Sequence, residues 1–272
     1  MSASQIDALG FIGAGKLAGS VIRGLMRAKF CPPNKIIASE PNEQTRAALA
    51  KETSISVTAE NTGVVEKANV VFIGVKPPMV ASVLRELKDK LENKLVISLA
   101  GGVRIATMEE AAPARIMRAL TNTPSTICRA ATGICRGNRT TDDDVDLAKK
   151  IFGSLGVVVE VTEQQIDVVT ALSGSGPAFV YTIIESLADS AVKLGLAKDA
   201  ALELAMQTVV GAAELMRESK MSAEDLVKMV VTPGGTTAAG LAVMEKLGTR
   251  ESLIAAVEAA TKRGQEMAKE NA

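Results

Sequence analysis

The stretch GFIGAGKLAG, residues 10–19, decides the fold. It closes an apolar run and opens a helix-like pattern, with Gly13, Gly15 and Ala18 spaced as GxGxxA. In a dinucleotide-binding turn the first glycine permits the tight bend and the second lets the backbone approach a pyrophosphate. The small third residue lets helix and strand pack closely. A helix starting there offers free N–H groups and its positive dipole end to phosphate. Glycines at this spacing also close ordinary turns, so the weight comes from the surrounding pattern.

Outward from this turn, short β-rich runs alternate with amphipathic stretches as far as about Val161. ALGFIG leads to a helix through Arg27, KIIAS to helix 42–52, NVVFIGV to helix 78–91 and KLVISLA to helix 104–112. RIMRAL, TGICR, a helix opened by the Thr141–Asp144 capping pattern, and GVVVEV complete the series. Such alternation predicts a parallel sheet with helices on both faces. After Glu163 strand signals cease, and 163–172, 177–195, 199–218, 222–230, 236–246 and 250–270 read as helices. The expected architecture is a Rossmann-type α/β nucleotide-binding domain, 1–162, followed by an all-α domain, 163–272. Apolar faces as broad as ALELAMQTVVGAAELM (201–216) exceed what one small helical domain buries within itself, so a self-associating chain, at least a dimer, is expected.

Composition narrows the function. The chain has 272 residues, with Lys plus Arg and Asp plus Glu both at 31, and six aromatic residues. Balanced charge and few stacking platforms argue against nucleic acid. No apolar stretch reads as long enough to span a bilayer, and the N-terminal residues lack a signal-peptide pattern, so a cytoplasmic protein is expected. Three cysteines without a CxxC pair, and no histidine, leave no zinc-type ligand set. They also leave no imidazole to shuttle protons near neutrality.

Four further stretches carry chemistry. IIASEP (36–41) ends where an adenosine ribose would lie, and Glu40 there would accept from a 2′-hydroxyl and repel a 2′-phosphate, unless it is an exposed helix-start acid. Ser39 beside it is a donor for phosphate, with Arg46 and Lys51 following on the helix. In GVKPP (74–78), Val75, Lys76 and Pro77 end a strand at the ligand edge of the sheet, where Lys76 either faces solvent or lies near a nicotinamide. VVTPGGTTAAG (230–240) is a bare, hydroxyl-rich turn before a helix: a concave anion site, or a plain turn with Thr236 as its cap. SGSGPA (173–178) reads as close helix packing or as a pocket wall.

GFIGAGKLA, VKP, TNTP, FGSLG, LSGSGPAF and TPGGTT, in this order from Leu9 to about Ala268, resemble the pyrroline-5-carboxylate reductase family. The resemblance implies an oxidoreductase reducing 1-pyrroline-5-carboxylate to L-proline with NADPH or NADH, the last step of proline biosynthesis. It implies a homodimer interleaved through the helical domain, with decamers of five dimers among its assemblies. By position, Gly13, Ala14, Gly15, Lys16 and Leu17 match the cofactor loop, Asn61 an adenosine-side contact, and Lys76 with Pro77 the nicotinamide side. Thr232, Gly235, Thr236 and Thr237 match the substrate loop, with the Thr237 hydroxyl on the ring nitrogen as the catalytic contact. Thr121 stands where many members have proline, Glu40 where they often have a small polar residue, and Lys220 near an acidic position of some members. Glu40 leaves NADH against NADPH open.

The missing histidine suits this chemistry. Reducing a ketone leaves an alkoxide that needs a proton donor, whereas a protonated cyclic imine yields an amine without one. A β-hydroxyacid dehydrogenase would carry lysine and asparagine at the places of Val180 and Ile184. Another imine reductase, or a non-catalytic NAD(P)-sensing protein, are the remaining alternatives.

Overall fold

The structure, a computed structural model, describes residues 8–271, and the readings made of residues 1–7 and 272 lie outside them. The chain begins with β1 (Leu9–Ile12), α1 (Lys16–Arg27), β2 (Ile36–Ser39), α2 (Glu43–Thr53), β3 (Ser56–Thr58) and α3 (Asn61–Lys67). Then follow β4 (Val70–Ile73), α4 (Val80–Glu86), α5 (Lys88–Leu91), β5 (Leu95–Ser98), α6 (Ile105–Ala111) and β6 (Arg115–Leu120). β7 (Ala130–Arg136), α7 (Asp142–Gly153) and β8 (Gly156–Glu160) complete one sheet of order 3-2-1-4-5-6-7-8. The short strand β3 lies outside the strand-like runs of the sequence. The order reverses between β1 and β4, which opens a ligand crevice at their C-terminal ends.

Phe11 of β1 pairs in register with Phe72 of β4, their rings stacked at 4.5 Å, and Phe152 of α7 meets Phe72 edge-on at 6.1 Å. With Val21, Ile22 and Leu25 of α1 these fill one face of the sheet. Val64, Leu84, Ile105 and Met108 of α3, α4 and α6 fill the other. The capping pattern forms as read: Thr141 and Asp144 exchange side-chain-to-backbone bonds at the start of α7.

One expectation is corrected. β7 runs antiparallel to β6 because the link between them is a short 3₁₀ turn, Thr123–Ile127, and a parallel return needs a crossover of a dozen or more residues.

After β8 come α8 (Ile166–Val169), a π turn at Thr170–Gly174, α9 (Gly176–Lys193), α10 (Lys198–Ser219), α11 (Ala223–Val230), α12 (Thr236–Lys246) and α13 (Thr249–Glu270). The separate helices 163–172 and 177–195 are therefore one continuous helix, Ile166–Lys193, because the π turn absorbs Ser173-Gly174 without breaking the spiral. Joined, it is long and apolar enough by length and composition to cross a membrane, which corrects the reading that no stretch is.

Two compact units result. Residues through Ser175, with those from Glu258 on, form one; Gly176–Val257 form the other. Packing thus groups 163–175 with the sheet, although strand signals stop at 162. Arg118 of β6 accounts for part of this. Its side chain is fully buried, with Nη1 3.4 Å from Glu163 and Nη2 3.9 Å from Asp167 at the start of α8. Burial holds its pKa below the ordinary value, and Arg104 takes the other Asp167 oxygen at 3.0 Å.

Candidate nucleotide and substrate sites

The β1–α1 turn is built by backbone. Gly13 adopts φ +81°, a left-handed conformation that disfavours any side chain. Its N–H and that of Ala14 both donate to the Ser39 carbonyl, at 3.0 and 3.1 Å, tying the turn to the end of β2. On the opposite side the Gly74 N–H donates to Ile12 at 2.7 Å, so β4 leaves the sheet in contact with the same turn. A Cβ at Gly74 would lie 2.5 Å from the Gly13 carbonyl. Gly74 is a site residue that the sequence reading passed over, although a glycine directly after an apolar strand was its signal.

Gly15 caps α1, with no side chain on the cap and no acid in the first turn. A Cβ added there meets nothing within 4 Å, so the space in front of the helix N-terminus is left open by the protein itself. Open space, unshielded N–H groups and no competing carboxylate fit a pyrophosphate. Lys16 and Leu17 form the first turn behind it.

At the end of β2 the sequence expectation changes. Ser39 is fully buried and its hydroxyl donates to Asn61 Oδ1 at 2.7 Å. It braces the cradle through its carbonyl and Asn61 through its hydroxyl, and its side chain is not aimed at a phosphate. Glu40, half-buried, accepts from the Asn42 N–H through Oε1 at 3.1 Å. Lys76 is exposed and caps the 3₁₀ turn Pro77–Met79, while Val75 lies beside Gly13, whose added Cβ would stand 2.9 Å from the Val75 nitrogen. Residues 13–17, 39–40, 61 and 75–77 thus converge on the C-terminal ends of β1, β2 and β4.

Beside them, Thr121 and Thr132 form a buried hydroxyl pair at 2.8 Å. The pair satisfies the threonine that replaces a common proline. Asn122 accepts from the Ala131 N–H at 3.2 Å and donates to the Ser173 carbonyl at 3.0 Å, pinning the π turn to β7. SGSGPA is thus held at its start by the Ser173 carbonyl, whereas a Cβ at Gly176 would meet nothing within 4 Å, so its glycines are not required by close packing.

The TPGGTT loop belongs to the second unit. Gly234 takes φ +69° and Gly235 caps α12 with no side-chain bond, while its N–H donates to the Thr232 carbonyl at 3.0 Å. Thr236 does not act as the cap, since it is the first residue inside the helix. The first turn of α12 carries no acid, and the hydroxyls of Thr232, Thr236 and Thr237 make no hydrogen bond among the described residues. A Cβ at Gly235 would collide with the Thr232 Oγ1. The loop is an anion-suited helix start kept bare.

A family model described as "Pyrroline-5-carboxylate reductase dimerisation" matches residues 163–267, and one described as "NADP oxidoreductase coenzyme F420-dependent" matches 8–102. The pyrroline-5-carboxylate reductase of Pisum sativum is 41% identical over 95% of both chains. The chain belongs to the pyrroline-5-carboxylate reductase family. The reductase of Methanosarcina acetivorans is 39% identical over 96% of this chain and 98% of its own. The solved pyrroline carboxylate reductase of Plasmodium falciparum, with NADP bound, superposes at a TM-score of 0.90 with 31% identity, covering 97% of this chain and 98% of that one. As a member of this family the chain carries the family's dimerisation region from Glu163 onward.

Proposed function

We propose that this chain reduces 1-pyrroline-5-carboxylate to L-proline with NADPH or NADH, the last step of proline biosynthesis. The observation that carries the reading is the bare start of α12, an anion-suited helix start with three unengaged threonine hydroxyls, in a chain whose other unit bears an open dinucleotide cradle. When bound, the reduced nicotinamide supplies the hydride. The open space at Gly15 receives the pyrophosphate, and Val75, Lys76 and Pro77 flank the nicotinamide half. The N–H groups from Thr236 on, at the start of α12, hold the substrate carboxylate, with the Thr232 hydroxyl donating beside them, since the Gly235 N–H is already taken by the Thr232 carbonyl. The Thr237 hydroxyl contacts the ring nitrogen and fixes the imine's face. A protonated imine draws the hydride by its own charge, so no proton relay is required and orientation dominates the protein's contribution.

The active unit in this reading is a homodimer formed through the helical region, which assembles further into a decamer of five dimers. The apolar face of Ile166–Lys193 is then covered by a second copy and not by lipid, in keeping with the dimerisation match across it. A steady-state assay of NADPH and NADH oxidation with pyrroline-5-carboxylate tests the proposal. Saturable turnover is expected, with none on β-hydroxyacids. Cofactor binding without turnover of the imine would overturn it.

A further inference from the structure

The sheet unit holds a polar cleft that shares no residue with the dinucleotide cradle. Its volume is about 610 Å³. Arg104 lines it at the start of α6, Glu163, Gln164 and Asp167 around the start of α8, and Gln265 and Lys269 towards the end of α13. All six belong to the same compact unit. α13 passes close to Asp167 at Gly264, where an added Cβ would stand 3.6 Å from the Asp167 Cβ.

The lining keeps much of its hydrogen-bonding capacity unspent. Arg104 uses only Nη2, on Asp167, and its Nε and Nη1 have no partner among the described residues. Glu163 gives Oε1 to the Ile105 N–H and to Arg118, and leaves Oε2 free. Lys269 is exposed and pairs with no acid among the described residues. Asp167 is 1% exposed, yet its Oδ1 makes no hydrogen bond, and neither do Nε and Nη2 of the buried Arg118 beside it. Bonds left unmade on buried charges are costly, so the fold maintains polarity here that it does not itself use.

Three cations, Arg104, Arg118 and Lys269, stand against two acids, Glu163 and Asp167, which leaves one excess positive charge. A matching ligand carries two anionic groups and one cationic group. The free N–H groups of Arg104 suit a carboxylate, Lys269 offers a point charge to a second one, and Glu163 Oε2 accepts from an ammonium. We propose that this cleft binds an α-amino dicarboxylic acid of the size and charge of L-glutamate, at a site distinct from the cradle and from the TPGGTT loop. The cleft volume lies in the ordinary range for small-molecule sites. Its occupant would tie the end of α13 to α6 and α8. The inference goes beyond the reductase reading and does not depend on it.

Calorimetric titration of the intact protein with L-glutamate, at constant ionic strength, tests it. One saturable site per chain is expected. Glutarate, which lacks the ammonium, and L-glutamine, which lacks the second carboxylate, should each bind at least about tenfold more weakly. Lys269→Ala should weaken L-glutamate about tenfold or more, as should Glu163→Gln, which keeps an acceptor for the Ile105 N–H. Gly235→Val should leave this binding unchanged. Absence of saturable binding overturns the proposal. So does an affinity that neither cleft variant reduces, or one that Gly235→Val abolishes, since the ligand would then sit at the substrate loop. Equal affinity for glutarate or L-glutamine overturns the ligand class. Should Glu163→Gln fail to fold, Lys269→Ala decides alone, because its side chain is exposed and unpaired among the described residues. L-Glutamate binding without imine turnover defeats only the reductase reading. Imine turnover without L-glutamate binding defeats only this inference.

Discussion

The two compact units solve the same problem, covering apolar surface, in opposite ways. In the sheet unit Phe11, Phe72 and Phe152 are completely enclosed, and helices cover both faces. In Gly176–Val257 the buried apolar residues among those described are Ala188, Ala201 and Ala205, while Leu204 is 60% and Leu247 74% exposed. Alanines let α9 and α10 approach closely, but they bury little surface, and the large side chains point away. The lesson is that the first unit is a finished core, whereas the second is half of one. A monomer exposing such a continuous face is unusual, and a surface of this kind marks an interface.

Breaking that contrast should give the largest effect. Leu204→Glu puts a charge where a second copy is proposed to pack. Light scattering should show dissociated chains, and turnover should fall on the order of 100-fold or more as an unpaired charge is forced toward burial. An intact, fully active assembly would mean that this face of α10 is solvated. The counterpart in the finished core is Phe72→Ala. It should cost roughly 3–5 kcal/mol in denaturant unfolding, because neighbours cannot collapse into the void left between the stacked Phe11 ring and the edge-on Phe152 ring. That loss should be independent of protein concentration in the sheet unit's transition.

A matched glycine pair sharpens the functional side of the comparison. Gly15→Val, where a Cβ meets no protein atom, should leave far-UV CD unchanged and weaken cofactor binding on the order of 100-fold. Gly235→Val, where the Cβ strikes Thr232, should raise the substrate KM by a similar factor on the order of 100-fold with cofactor affinity intact. The opposite pattern would exchange the proposed roles of the two units.

A smaller effect comes from Asp144 in the sheet unit. Burial pushes its carboxyl up, but Arg115, at 2.8 and 3.1 Å, and the Thr141 bonds outweigh this and hold it below its ordinary 3.8. A depressed carboxyl stabilises fully above its unfolded pKa and loses that contribution as pH falls through the lower folded value. Asp144→Asn should therefore cost about 2–3 kcal/mol near neutrality, with the gap to wild type closing on acidification. A gap constant with pH would exclude the ion pair as its source. Thr237→Ala should show the smallest effect, lowering kcat/KM by about 1–3 kcal/mol while catalysis persists, since it removes one orienting bond. Unaltered kinetics would remove the hydroxyl from catalysis.

Local and repetitive features were legible in the sequence. The GxGxxA turn, the alternation of strands and helices, the Thr141–Asp144 cap and the bare loop before α12 each depend on residues close in the chain. Backbone conformation and periodicity express them directly. What could not be read there depends on distant groups meeting. Ser39 turns inward because Asn61, 22 positions on, offers it an acceptor. Arg118 tolerates burial because Glu163 and Asp167 return to it across the sheet.

The sequence by itself determined that a dinucleotide-type turn opens the chain, that a helical region follows the sheet, and that the latter's apolar faces outnumber its own capacity to bury them. Only the tertiary structure decided that β7 reverses direction, that Ser173-Gly174 passes as a π turn held by Asn122, and that Arg104 and Arg118 both reach Asp167. The physical reason is the range of the forces involved. Propensity and periodicity act over a few residues, whereas strand direction, a buried hydrogen bond and the pose of a long side chain are set by whatever packing brings alongside.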